Sequence, residues 1–231
     1  MYQENKPQYR ILLLIALAHG LNDLIQGVIP SIYPALQSKY ALTMTQVGVI
    51  TLCYQLSASI LQPLVGNYTD KHPKPYSQVL GMAFTTMGIV SLSLASSYTA
   101  ILCSVVFIGV GSSVFHPESS RVAFLASGGR RSFAQAIFQL GGNFGTALAP
   151  LLVILLLFSK KVIDGRVVEE SHQGNLIWFA GFSIFAMLIL LLIGKWRSIL
   201  LKLLKKKAKK PVVLPNLTRA QIRNSMIILM L

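Results

Sequence analysis

Apolar residues fall into six long runs, at 11–36, 45–65, 77–95, 98–115, 133–158 and 176–193, separated by polar connections. A hydrocarbon core of about 30 Å needs roughly 20 helical residues, so each run predicts a transmembrane helix. A last apolar stretch, 224–231, reads as the start of a seventh span; at ~1.5 Å per residue it covers only about 12 Å. The first run differs from an anchoring helix. After its leading aliphatic residues it places His19, Asn22, Asp23 and Gln26 inside the apolar sequence. At helical spacing His19, Asp23, Gln26, Pro30 and Tyr33 share one face. An ionisable group at that depth is costly unless it faces a bundle interior or water, so Asp23 marks a functional position.

Polar content divides the six spans into two kinds. The second carries Gln55, Ser59 and Gln62, the fourth Ser112, Ser113 and His116, and the fifth Gln135, Gln139, Asn143 and Thr146. The third and sixth have no amide or charge in mid-span. Spans one, two, four and five are therefore expected to enclose a polar space, with three and six facing lipid. By helical rise, Asp23 lies about 20 Å in from Arg10, Asn143 lies about 18 Å in from Arg131, and Glu118 lies about 30 Å from Tyr98, at the cytoplasmic boundary. Of seven acidic residues this leaves Asp23 inside the membrane. Gln55, Gln62 and Gln135 are equally read as interhelical hydrogen bonders, and Gly141 with Gly145, beside Gly142 with Thr146, as a helix-packing face. Pro117 lacks a donor and clashes one turn back, so His116-Pro117 is expected to bend or end the fourth helix. Pro30 and Pro34 are bend points of the first.

Composition supports the membrane reading: of 231 residues, 53% are hydrophobic and only 12% charged, with a mean hydropathy of +0.60. The net charge of +14 sits in short connections and not on a basic face interleaved with aromatics, which argues against a nucleic-acid partner. Alternate connections, beginning with the N-terminal tail, hold seventeen of the 21 Lys and Arg residues; the opposite set holds four. The positive-inside rule then puts the N-terminus in the cytoplasm, in the cell inner (plasma) membrane. Lys6, Arg10 and Ala16-Leu17-Ala18 outline a signal peptide, but the run continues past Ala18, and a retained first span is expected. Segment 195–223 is a basic cytoplasmic linker. Its stripe of Trp196, Ile199, Leu200, Leu203 and Leu204 among lysines suits a helix on anionic lipids, and a solvated charge run reads equally well. Cys53 and Cys103 sit in apolar runs with no disulfide or metal spacing, and nothing calls for a cofactor.

Between spans two and three, Gly66-Asn67-Tyr68-Thr69-Asp70-Lys71-His72-Pro73-Lys74 resembles the loop motif of the major facilitator superfamily. His19-Gly20-Leu21-Asn22-Asp23, Gln62-Pro63-Leu64-Val65-Gly66, the run from Gly111 to Glu118, and Gly141-Gly142-Asn143-Phe144-Gly145 are similar to the fosmidomycin-resistance family of efflux transporters. Pro73 and Pro75 depart from the superfamily loop, an Arg usual in the fourth span is absent, and Ala149-Pro150 lacks the Gly pair of the antiporter signature. The resemblance implies twelve helices in two halves around a central cavity, with drug export driven by proton entry. This chain would be all-α: the six-helix N-terminal half at 1–194 plus the start of a seventh helix. Gly66, Asp70, Lys71 and Arg121 would belong to a cytoplasmic gate. Asn22, Gln26, Gln55, Gln62, Gln139 and Asn143 would line the cavity.

The expected function is secondary transport: export of a small drug-like or anionic compound against protons carried by Asp23, with His19 one turn away as its partner. A full cavity would need a second half or a second copy, so an inactive or dimerising half is the alternative. An intramembrane metal-dependent hydrolase built on His19, Asp23, His116 and Glu118 is a rival of another class. Helical rise argues against it, separating His19 and Asp23 from His116 and Glu118 by some 10 Å or more; no resident metal and no enzyme activity are expected.

Overall fold

The computed structural model describes residues 6–163 and 166–207, by their backbone alone at 160–163, 166–169 and 201–207. Its helices are α1 (Tyr9–Ser31), α2 (Tyr33–Tyr40), α3 (Met44–Lys71), α4 (Ser77–Leu94), α5 (Tyr98–Ala126), α6 (Arg131–Leu157) and α7 (Ile177–Lys207). Strands β1 (Phe158–Ile163) and β2 (Arg166–Ser171) pair antiparallel, with Phe158 opposite Ser171, and a 3-10 turn at Gln173–Leu176 leads into α7. Among the described residues, six helices are long and apolar enough to cross a membrane. Residues through Arg197 form one compact unit, and a second begins at Ser198. The linker beyond Lys207 and the seventh-span stretch 224–231 lie outside the described residues.

Local chemistry sets the helix ends. The first run breaks into two because Pro30 deprives the Gln26 carbonyl of its helical donor. Ser31 Oγ donates to the Gly27 carbonyl at 2.6 Å, and α2 restarts after Ile32 with Pro34 in its first turn. Ala41, at φ 50°, closes α2 in the left-handed region. A capping box starts α3: the Gln46 N–H donates to Thr43 Oγ1 (3.2 Å) and the Thr43 N–H to Gln46 Oε1 (2.9 Å). Ser97 caps α5 through the Ala100 N–H, and Gly128 and Gly129, both at positive φ, turn the chain into α6.

Two expectations need correction. The fourth helix does not end at Pro117; α5 continues for two more turns to Ala126, as membrane helices tolerate internal proline where neighbours satisfy the freed backbone. Residues 195–207 do not begin a separate linker helix but extend α7, with Trp196 packed on the core and Arg197 fully buried. The 158–171 connection is a β-hairpin. Helices α4 and α7 do expose apolar faces (Leu80, Met87, Leu94; Phe185, Leu188, Leu192), yet their opposite faces bury Gln78, Thr85 and Ser183, and Thr86 hydrogen-bonds Ser183 between them.

The close pairing of α1 with α6 rests on small residues. A Cβ at Gly20 would lie 2.8 Å from the Gly141 carbonyl oxygen, and one at Gly141 would run into the Ala16 carbonyl. Two apolar clusters fill the bundle. One gathers Leu24, Ile25, Ile29, Ile101, Ile108 and Val153; the other gathers Leu12, Ile15, Phe115, Val122, Ala134 and Phe138. The α1 segment between them carries His19, Asn22 and Asp23, which therefore sit in a polar layer sandwiched by apolar packing.

Candidate functional site

His19 is 2% exposed, between α5 and α6. The Phe138 ring stacks on its imidazole at 3.9 Å between centroids, and the Phe138 carbonyl lies 2.7 Å from Nδ1. A carbonyl only accepts, so Nδ1 carries the hydrogen, and Nε2 of neutral His19 presents a lone pair. That lone pair faces Asp23 Oδ2 at 3.1 Å. Two acceptors held this close repel unless something positive lies between them. His116 of α5 completes the cluster, its Nε2 being 3.7 Å from Asp23 Oδ1. The Asn22 amide donates to Asp23 Oδ1 (3.1 Å), while the Asn22 Oδ1 atom is buried without a partner. Gly142 of α6 leaves the space open: a Cβ there would lie 2.6 Å from Asp23 Oδ2 and 2.7 Å from His19 Nε2.

This arrangement overturns the separation inferred from helical rise. His116 is a neighbour of Asp23 because α1 and α5 cross at this level; Glu118 is elsewhere. Asp23 in turn borders a polar cleft of about 270 Å³ lined by Gln26, Pro30, Tyr33, Tyr54, Gln55 and Thr146 among others. Gln26 accepts from Tyr54 Oη (2.5 Å) and Ser112 Oγ (3.2 Å), tying α1 to α3 and α5. Gln55, Gln139 and Asn143 are exposed on the open faces of α3 and α6, and Gln62 is half-buried on α3. Spans one, two, four and five thus do meet around polar groups. Gln135 instead ties α6 to α5 through Ser120, the interhelical role.

A second charged cluster centres on the stretch of α5 between Phe115 and Val122. Arg121 pairs with both Asp70 and Glu118, and Arg197 pairs with Glu118. Ser77 Oγ donates to Glu118 Oε2 at 2.7 Å. Glu118 and Arg197 are wholly buried, and Glu118 is the centre of a chain Asp70–Arg121–Glu118–Arg197 from α3, α5 and α7. Gly66 lies over Pro117, and Lys71 is the last, exposed residue of α3. Sequence reasoning found Asp70 and Arg121 but missed Arg197 and Ser77. It also missed Tyr54 as the partner of Gln26, although Tyr54 stands one residue from Gln55.

Membrane-length helices wrapped around a buried acid–histidine cluster define a multi-pass membrane protein. A family model of the Major Facilitator Superfamily matches residues 15–230, and the chain belongs to that superfamily of membrane transporters. It is 46% identical over 210 residues to the fosmidomycin resistance protein of Escherichia coli (strain K12), covering 91% of this chain and 49% of that protein. It is 42% identical over 202 residues to an uncharacterized MFS-type transporter, YfnC, of Bacillus subtilis (strain 168), covering 87% of this chain and 47% of that one. A bacterial homologue of the human lysosomal transporter Spinster, solved inward-facing and unoccupied, superposes with a TM-score of 0.63 at 18% identity. That match covers 80% of this chain and 42% of the other, and speaks to fold alone. The chain spans about half the length of the curated relatives it matches.

Proposed function

We propose that the chain supplies one half of a secondary transporter that exports a small drug-like or anionic compound in exchange for protons, with its N-terminus in the cytoplasm. The observation that carries this reading is the close approach of His19 Nε2 and Asp23 Oδ2, 3.1 Å apart beside a polar cleft. A proton is the simplest positive occupant of that gap. Taking it up neutralises the pair and allows α1, α5 and α6 to stay packed; releasing it restores the repulsion and favours opening toward water. The substrate class follows from similarity to the fosmidomycin resistance protein. Gln55, Gln139 and Asn143, exposed on α3 and α6, would line the cavity once a second half covers them.

In this reading the Asp70–Arg121–Glu118–Arg197 chain is the fixed side of the cytoplasmic gate. Glu118 and Arg197 are the buried anchor, while Asp70, 69% exposed, is free to meet a group of the other half. Lys71 stands beside it at the helix end, and the basic residues after Arg197 would meet anionic lipid headgroups. The test is export from cells or inverted vesicles carrying the complete transporter with Asp23→Asn. Loss of pH-gradient-driven export at normal expression is expected; export that still follows the pH gradient would sink the proton assignment.

A further inference from the structure

The geometry points to a binding site for a transition-metal dication such as Zn²⁺, Co²⁺ or Ni²⁺, held by His19 Nε2, the Asp23 carboxylate and His116 Nε2. One ligand atom from each residue lies within 4.8 Å of the others. Ligand atoms about 2.0–2.1 Å from a tetrahedral metal stand roughly 3.3 Å apart. His19 Nε2 lies 3.1 Å from Asp23 Oδ2 and His116 Nε2 lies 3.7 Å from Asp23 Oδ1, so each imidazole faces its own oxygen of the one carboxylate at close to that spacing.

Three further features separate this cluster from a chance meeting of polar side chains. The first is tautomer. The Phe138 carbonyl fixes the hydrogen of His19 on Nδ1, which is how protein partners orient a metal-bound imidazole and raise its basicity. The Asn22 amide orients the carboxylate in the same way. The second is space: Gly142 keeps the ground between His19 and Asp23 clear of a side chain. The third is access, since Asp23 is 18% exposed and borders the cleft of about 270 Å³. Two imidazoles and one carboxylate form an N₂O set, which favours zinc, cobalt or nickel over magnesium or calcium. Its single negative charge leaves a bound dication at net +1, with open coordination positions toward the cleft for water or an anionic group. The ligands come from α1 and α5, and α6 supplies the supporting carbonyl, so a bound ion would pin three helices at one level.

This inference is independent of proton-coupled export, because metal binding is read on the purified chain without transport. The chain is purified in detergent through a tag without histidine and titrated with Co²⁺, whose visible absorption reports nitrogen and oxygen ligands. One Co²⁺ per chain is expected. Removing a ligand should weaken binding at least as much as loss of a supporting hydrogen bond does, about tenfold or more, in His116→Ala and in Asp23→Asn. Gly142→Ala, which puts a methyl between the ligands, should weaken it while preserving all three. Substituting the remaining two histidines, His72→Ala and His172→Ala, should leave it intact. Circular dichroism and melting of each variant identify any that fails to fold, and His116→Gln then replaces His116→Ala. Absence of stoichiometric Co²⁺, equal binding by folded His116 and Asp23 variants, or displacement by a modest excess of Mg²⁺ would each overturn the site.

Discussion

Replacing Arg197 by methionine tests the buried charge chain where it is deepest. Arg197 and Glu118 are both 0% exposed, and Arg197 reaches Glu118 from α7 while Arg121 reaches it from α5. Removing one member of a buried ion pair costs about 3–5 kcal/mol, because the remaining charge stays desolvated. Glu118 keeps Arg121 and the Ser77 hydroxyl, so the lower end, about 3 kcal/mol, is expected. For a chain of this size that corresponds to a melting shift of roughly 6–12 °C downward. The pair specifically, as against simple packing, is isolated by a double-mutant cycle. Glu118→Gln and Arg197→Met should each destabilise, and their combination should cost clearly less than the two effects added. Thermal unfolding in one detergent, followed by circular dichroism, measures all four proteins. Strict additivity, or an Arg197→Met protein that melts like the parent, would refute the reasoning.

Other consequences follow from the same geometry. Asp70→Asn removes an ion pair whose acid is 69% exposed, so stability should change by no more than about 1 kcal/mol. If Asp70 serves the proposed gate, export by the complete transporter should nonetheless fall; unchanged export would remove Asp70 from that gate. Gly141→Ala forces a methyl into the Ala16 carbonyl and should destabilise the α1–α6 pair. Gly181→Ala meets nothing within 4 Å and should be neutral or stabilising by up to about 1 kcal/mol. Equal melting temperatures for these two variants would contradict the close-packed interface.

The membrane helices were legible because an apolar run of some 20 residues has few other uses, and Asp23 because a carboxylate inside such a run needs a reason. What one chain read in order hides is which helices cross at which level. His116 looked like a terminal residue because Pro117 signals a helix end in water; inside the bundle the helix runs on, and His116 arrives beside Asp23. Glu118 lies in the same continuing helix, where it is buried as the partner of Arg121 and Arg197. Arg197 counted as one more cytoplasmic charge, and only its proximity to Glu118 makes it a buried partner. The hairpin has a local signal in the sequence, where Asp164-Gly165 stands between Val162-Ile163 and Val167-Val168, a turn-forming pair flanked by β-branched residues.

The central claim is that Asp23, facing the His19 lone pair, holds the proton that drives export. Counting protons is its most direct test. Purified complete transporter in detergent is exposed to substrate in weakly buffered solution, and proton release is followed with a pH indicator. About one proton per transporter is expected from the parent protein and none from Asp23→Asn, with substrate binding retained in both. Equal proton release by the parent and Asp23→Asn would contradict the account.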